Sequence, residues 1–147
     1  MKHWHIGVLF HNIDEVLDYI CTFPGETREK WTISEVEFGA DEMVVGNGGR
    51  LRTAMGRVGG VVYELIQPMD GNSFHAHQLK ERGAGLHHNA YIVEDDMDET
   101  VSALIAAGGR IVWEARHGNE HVCYVESPEG ALIWEIINCC PFMPSEQ

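Results

Sequence analysis

This chain of 147 residues repeats itself, and each repeat carries one His and one Glu in matching places. The first half opens on His5, an apolar run and then Asn12 to Glu15; the second opens on His88, an apolar run and then Asp96 to Glu99. The halves also close alike, with Glu64 between Tyr63 and Leu65 and Glu135 between Trp134 and Ile136. A duplicated unit puts equivalent residues on equivalent strands. Four side chains, His5, Glu64, His88 and Glu135, can therefore converge on one cavity.

The pattern of apolar residues fills in each half. Residues 3–10 alternate and predict a strand, with His3, His5, Gly7 and Leu9 on one face and Trp4, Ile6, Val8 and Phe10 on the other. Asn12 with an acid three residues on predicts a helix start, and Ile13, Val16, Leu17 and Ile20 form its apolar stripe. Strands follow at about 31–38, 50–57 and 60–67, with glycine-rich turns between them. The second half copies this order: a strand at 86–93, a helix carrying Met97, Val101, Leu104 and Ile105, then strands at about 110–116, 120–126 and 131–138. The expectation is an α+β fold of two tandem βαβββ modules, 1–68 and 86–140. A linker, 69–85, holds a short helix over 74–82, and an irregular tail runs from residue 141.

The ligand candidates stand out by what they cost. Glu64 and Glu135 each interrupt a strongly apolar strand, where a buried carboxylate needs a partner. His5 and His88 occupy the same repeat position. Two imidazoles and two carboxylates suit a divalent ion such as Zn, Ni, Co, Mn or Fe(II). Two ligands per half leave positions open for water or substrate, as catalysis requires. A cation there acts as a Lewis acid on an enolate oxygen while a carboxylate takes the neighbouring proton.

Composition narrows the partners. A net charge of -13 disfavours nucleic acid and anionic membrane, which an acidic surface repels. No run of 18 apolar residues is present, and the start of the chain lacks the apolar core of a signal peptide, so a cytoplasmic protein is expected. None of the four cysteines forms a C-x-x-C pair, which fits reduced thiols; Cys123 alternates into the core. Arg50 and Arg52 on one strand face are the better half of a basic group, with Lys80, Arg82 and Arg57, that can hold an anionic part of a substrate. Trp4, Tyr63, Tyr91 and Trp134 are expected to pack away from the metal, and His75, His77, His117 and His121 carry no assigned role.

The chain resembles the vicinal oxygen chelate superfamily, which includes glyoxalase I, methylmalonyl-CoA epimerase, extradiol dioxygenases and bleomycin resistance proteins. The resemblance covers nearly the whole chain. It is strongest in Leu79-Lys-Glu-Arg-Gly83 followed by Gly85-Leu-His-His-Asn-Ala-Tyr91, which looks like the epimerase branch. It implies paired modules forming a curved sheet around a divalent metal on His5, Glu64, His88 and Glu135, and a homodimer. Of the two adjacent histidines, the repeat aligns His88 with His5 and leaves His87 on the opposite face.

The implied activity is that of a metal-dependent isomerase or lyase that removes a proton α to a carbonyl, on a thioester or related small carbonyl substrate. Glu135 is the favoured base, with Glu64 the other catalytic candidate. Two departures separate the branches. Family epimerases carry Gln where this chain has Glu64, whereas glyoxalase I enzymes carry Glu. Epimerases also place a second acid/base shortly before the strand equivalent to 51–55, and Asn47 stands there, with Glu42 nearby as a substitute. A glyoxalase I-type lactoylglutathione lyase is therefore the alternative. An Fe(II) dioxygenase leaves Glu64 superfluous, and non-catalytic resistance proteins typically lack the ligands that this chain keeps.

Overall fold

The structure, a computed structural model, describes residues 1–139 and Pro144. The tail expected to be irregular, and Cys140 at the end of the second module, lie outside the described residues apart from Pro144. The chain runs β1 (Lys2–Leu9), α1 (Ile13–Ile20), β2 (Thr32–Phe38), β3 (Met43–Val45), β4 (Gly49–Val58), β5 (Val61–Pro68), α2 (Phe74–Arg82), β6 (Gly85–Ile92), α3 (Met97–Ala106), β7 (Arg110–His117), β8 (Glu120–Glu126) and β9 (Ile133–Ile137). This is the α+β arrangement expected from the repeat, with one addition. β3, three residues long, was not foreseen.

The nine strands among the described residues form one mixed sheet in the order β2-β4-β5-β1-β6-β9-β8-β7-β3. Each half contributes a block of four, and the blocks meet where β1 and β6 pair antiparallel. The inner registers match across the repeat: Gly7 pairs with Glu64 on parallel β1 and β5, and Ala90 pairs with Glu135 on parallel β6 and β9. The sheet curls strongly. Its edge strands β2 and β3 are joined by only four residues, Gly39 to Glu42, which span no more than about 19 Å.

The helices cover the outer face. Asn12 caps α1, its side chain accepting from Asp14 N–H, and the buried Ile13 and Leu17 pack with Val8, Trp31, Ala54 and Leu65. α3 packs in the equivalent place, Met97 lying against Val93, Cys123, Val125 and Ile136. Tyr63, Tyr91 and Trp134 pack on these outer clusters, as their alternation predicts. The inner face is a second apolar surface, including Met55, Ile92, Trp113, Val122 and Ile137, with α2 lying against it through Leu79 and Phe74.

Trp4 departs from the expected outward face: it lies in the inner cluster. The reason is a bulge. Between the pairs His3–Tyr91 and Ile6–Asn89, β1 holds Trp4 and His5 against the single residue Ala90. A bulge breaks strict alternation and re-aims side chains. A second bulge sits at the matching place in β6, where His87 has no counterpart between the pairs Gly7–His88 and Val8–Leu86. It brings His87 beside His88 rather than leaving it on the opposite face.

Candidate metal centre

The bulges deliver both histidines to the floor of the hollow. His5 and His88 are almost fully buried and point Nε2 at each other, 3.1 Å apart. Glu64 Oε2 lies 3.1 Å from His5 Nε2 and 3.7 Å from His88 Nε2. Glu135 Oε2 lies 2.9 Å from His88 Nε2 and 3.8 Å from His5 Nε2. The structure thus brings together all four residues that the repeat singled out, with one donor atom from each inside a 4.8 Å cluster.

These separations suit a cation. Bonds of about 2.0–2.1 Å to one ion put neighbouring donors roughly 2.9–3.4 Å apart, wider where the angle opens. The donor chemistry fits as well, since neutral imidazoles and carboxylates together match a borderline divalent ion. Electrostatics point the same way. Burial opposes charge on His5, yet the adjacent Glu64 and Glu135 outweigh it and raise its pKa. Burial likewise opposes charge on Glu135, while His88 and His5 outweigh it and hold its carboxyl below the usual range. One buried and one partly buried carboxylate facing two buried imidazoles form a place for a cation.

The hollow above this floor has a volume of about 240 Å³ and is walled largely by apolar side chains, among them Leu51, Met55, Ile66, Trp113 and Val122. Its polar lining includes Glu64, Glu135, Glu120, His75, His117 and Tyr124, with no Lys or Arg among the described lining residues. The anionic-substrate role considered for Arg52 has no support here. Its guanidinium pairs with Asp14 of α1 at 2.6 Å, in a network with Arg28.

Several residues at the hollow went unassigned in the sequence. His75, from α2, is fully buried with Nε2 2.9 Å from the Tyr124 hydroxyl. His117 lines the hollow near its Glu120 neighbour. Glu42 does not line the hollow: one carboxylate oxygen accepts from Gly39 N–H at 2.8 Å and the other lies 2.5 Å from His117 Nδ1. The Gly39 N–H, ahead of His117, keeps its carboxyl below the usual range, so it orients His117 rather than standing as a free base. Asn47 is exposed, and its backbone carbonyl accepts from Trp113 Nε1 and Phe74 N–H, each at 3.1 Å. No periodicity marks these residues. They come from the linker helix, one hairpin end and the connections on either side of β3, which the repeat does not constrain.

Comparison with known proteins gives a family and a fold. A family model described as the Glyoxalase/Bleomycin resistance protein/Dioxygenase superfamily matches residues 4–125. No curated protein matches in sequence. Among solved structures, a hypothetical protein from Bacillus halodurans C-125 aligns with 99% of this chain and 98% of its own, at 20% identity and a TM-score of 0.63. Methylmalonyl-CoA epimerase from Mycobacterium tuberculosis aligns with 95% of this chain and 89% of its own, at 22% identity and a TM-score of 0.62. A Streptomyces coelicolor methylmalonyl-CoA epimerase variant in complex with 2-nitronate-propionyl-CoA covers 99% of both chains, at 18% identity and a TM-score of 0.61. At these identities the likeness is one of fold.

Proposed function

Because the chain belongs to the Glyoxalase/Bleomycin resistance protein/Dioxygenase superfamily, we propose that it is a divalent-metal-dependent isomerase or lyase that moves a proton α to a carbonyl. The observation that carries this reading is the convergence of His5, Glu64, His88 and Glu135 at the floor of an apolar hollow. These four residues would hold the cation. When bound, it supplies Lewis-acid polarisation of a carbonyl oxygen.

The chain's own residues supply the rest. Glu135, buried between His88 and Tyr124, takes the α proton and returns it. Glu64, 3.1 Å from His5 Nε2 and lining the same hollow, is the second carboxylate available for proton transfer. The apolar walls exclude water, which strengthens every charge interaction on the floor. A thioester is the favoured substrate, by likeness to the methylmalonyl-CoA epimerases that share the fold. One observation favours the glyoxalase I-type alternative: Glu64 would supply a second charged ligand, while Asn47 and the tied-down Glu42 leave the expected epimerase base unfilled.

Deuterium exchange separates the branches. The purified chain with divalent metal is incubated in D₂O with methylmalonyl-CoA or with the methylglyoxal–glutathione adduct. Exchange at the α-carbon of methylmalonyl-CoA, abolished by chelator and by Glu135→Gln, is expected. Exchange with only the glutathione adduct selects the alternative, and exchange with neither overturns the proposal.

A further inference from the structure

The two halves contribute ligands alike, yet what stands behind those ligands differs. His5 packs against the Trp4 ring at 4.4 Å, and its Nδ1 is buried without a hydrogen-bond partner. In the second half, His88 Nδ1 lies 2.9 Å from His87 Nδ1. Tyr124 stands directly opposite Glu135 on the neighbouring strand, and both side chains line the hollow. The Tyr124 hydroxyl lies 2.9 Å from His75 Nε2.

Proton bookkeeping gives this chain a direction. An ionised carboxylate only accepts, and a phenol has one proton to give. With the phenol oxygen accepting from His75 Nε2–H, the Tyr124 proton is left to give to the facing Glu135 carboxylate. Burial keeps His75 neutral, holding its pKa down at about 3. Its ring is wedged by Trp113 at 5.4 Å and His87 at 5.6 Å, so the donor has little freedom to turn away. His75 lies outside the repeat. It enters from α2 in the linker, where the buried Ser73 caps the helix by accepting from Ala76 N–H.

We propose that His75 is a positioning residue that acts through Tyr124 to fix the Glu135 carboxylate, so that the linker helix sets the geometry of the second half's ligand pair. The donor array fixes the carboxylate's orientation and leaves Oε2 directed at His88. Outer partners of this kind orient ligands that would otherwise sample several rotamers. The inference rests on the reading of Glu135 as a ligand and base. It adds that the repeat's symmetry is broken on purpose by a segment between the halves.

The test is a double-mutant cycle read first by Zn²⁺ affinity, in competition with a chromogenic chelator, and second by α-proton exchange. Tyr124→Phe removes a single hydroxyl and should weaken Zn²⁺ binding about 10- to 100-fold. His75→Leu should weaken it to a comparable degree. The two together should be no worse than Tyr124→Phe alone, because His75 acts only through that hydroxyl. His75→Gln, whose amide N–H reaches the position of Nε2, should recover most of the affinity. Unchanged affinity in His75→Leu overturns the proposal, as do losses that multiply in the double variant or a His75→Gln no better than His75→Leu. If His75→Leu does not fold, the Tyr124→Phe and His75→Gln/Tyr124→Phe pair decides: affinity lost in the first and unchanged by adding the second supports the relay, and further loss contradicts it. Normal Zn²⁺ coupling without α-proton exchange counts against the proposed activity while leaving the positioning role standing.

Discussion

Gly7 is the residue on which the centre turns. It lies opposite His88 across the β1–β6 seam, and a Cβ there would stand 2.2 Å from His88 Cε1 and 2.3 Å from Nε2. The ring occupies the space that any side chain would need. Its repeat equivalent, Ala90, keeps a methyl group opposite the Trp4–His5 bulge and is fully buried. Gly7→Ala should therefore push His88 out of line and lower divalent-metal affinity more than tenfold, with little change in far-ultraviolet circular dichroism; wild-type affinity would show that the ring yields freely. The sequence placed His5, Glu64, His88 and Glu135 together because the repeat fixes their register. It misplaced Trp4 and His87 because period two assumes an unbroken ladder, and a bulge leaves no mark in hydrophobic alternation.

At the scale of elements, the regular strands and the helices α1, α2 and α3 follow from alternation, apolar stripes and caps. β3 does not. Three residues are too few to show a period, and its pairing with β7 comes from the other half of the chain. α1 shows how an outer element is tied down. Asp14 meets Arg52 of β4 at 2.6 Å and Arg28 at 3.0 Å, so Arg52 is engaged by a carboxylate of its own chain where its sequence position suggests an anion site. Hydrogen bonds from Arg52, then Arg28, hold the Asp14 pKa down at about 2 from its usual 3.8. A carboxylate with a depressed folded-state pKa stabilises above its unfolded value and loses that contribution as pH falls through the folded one. Between about pH 4 and 2 the wild type should lose stability more steeply than Asp14→Asn in urea titrations. Parallel pH profiles for the two proteins would remove Asp14 from the account.

Across the whole molecule, a curled sheet built from a duplicated unit gathers one His and one Glu from each half onto a shared floor. The chain's acidic charge leaves that floor without a neighbouring Lys or Arg among the described lining residues, so a cation is the natural counterweight to Glu64 and Glu135. The seam between β1 and β6 is where the halves join, and both histidines come from it. What the duplication could not reveal is the unsymmetrical part: the His75–Tyr124 array from the linker helix and the His117–Glu42 pair near the far hairpin.

The most direct measurement is a calorimetric titration of chelator-treated protein with Zn²⁺, alongside the Glu64→Ala and His88→Ala variants. One ion per chain for the parent and loss of that site in both variants is the predicted result. Full stoichiometric binding retained in both variants would contradict the four-residue centre.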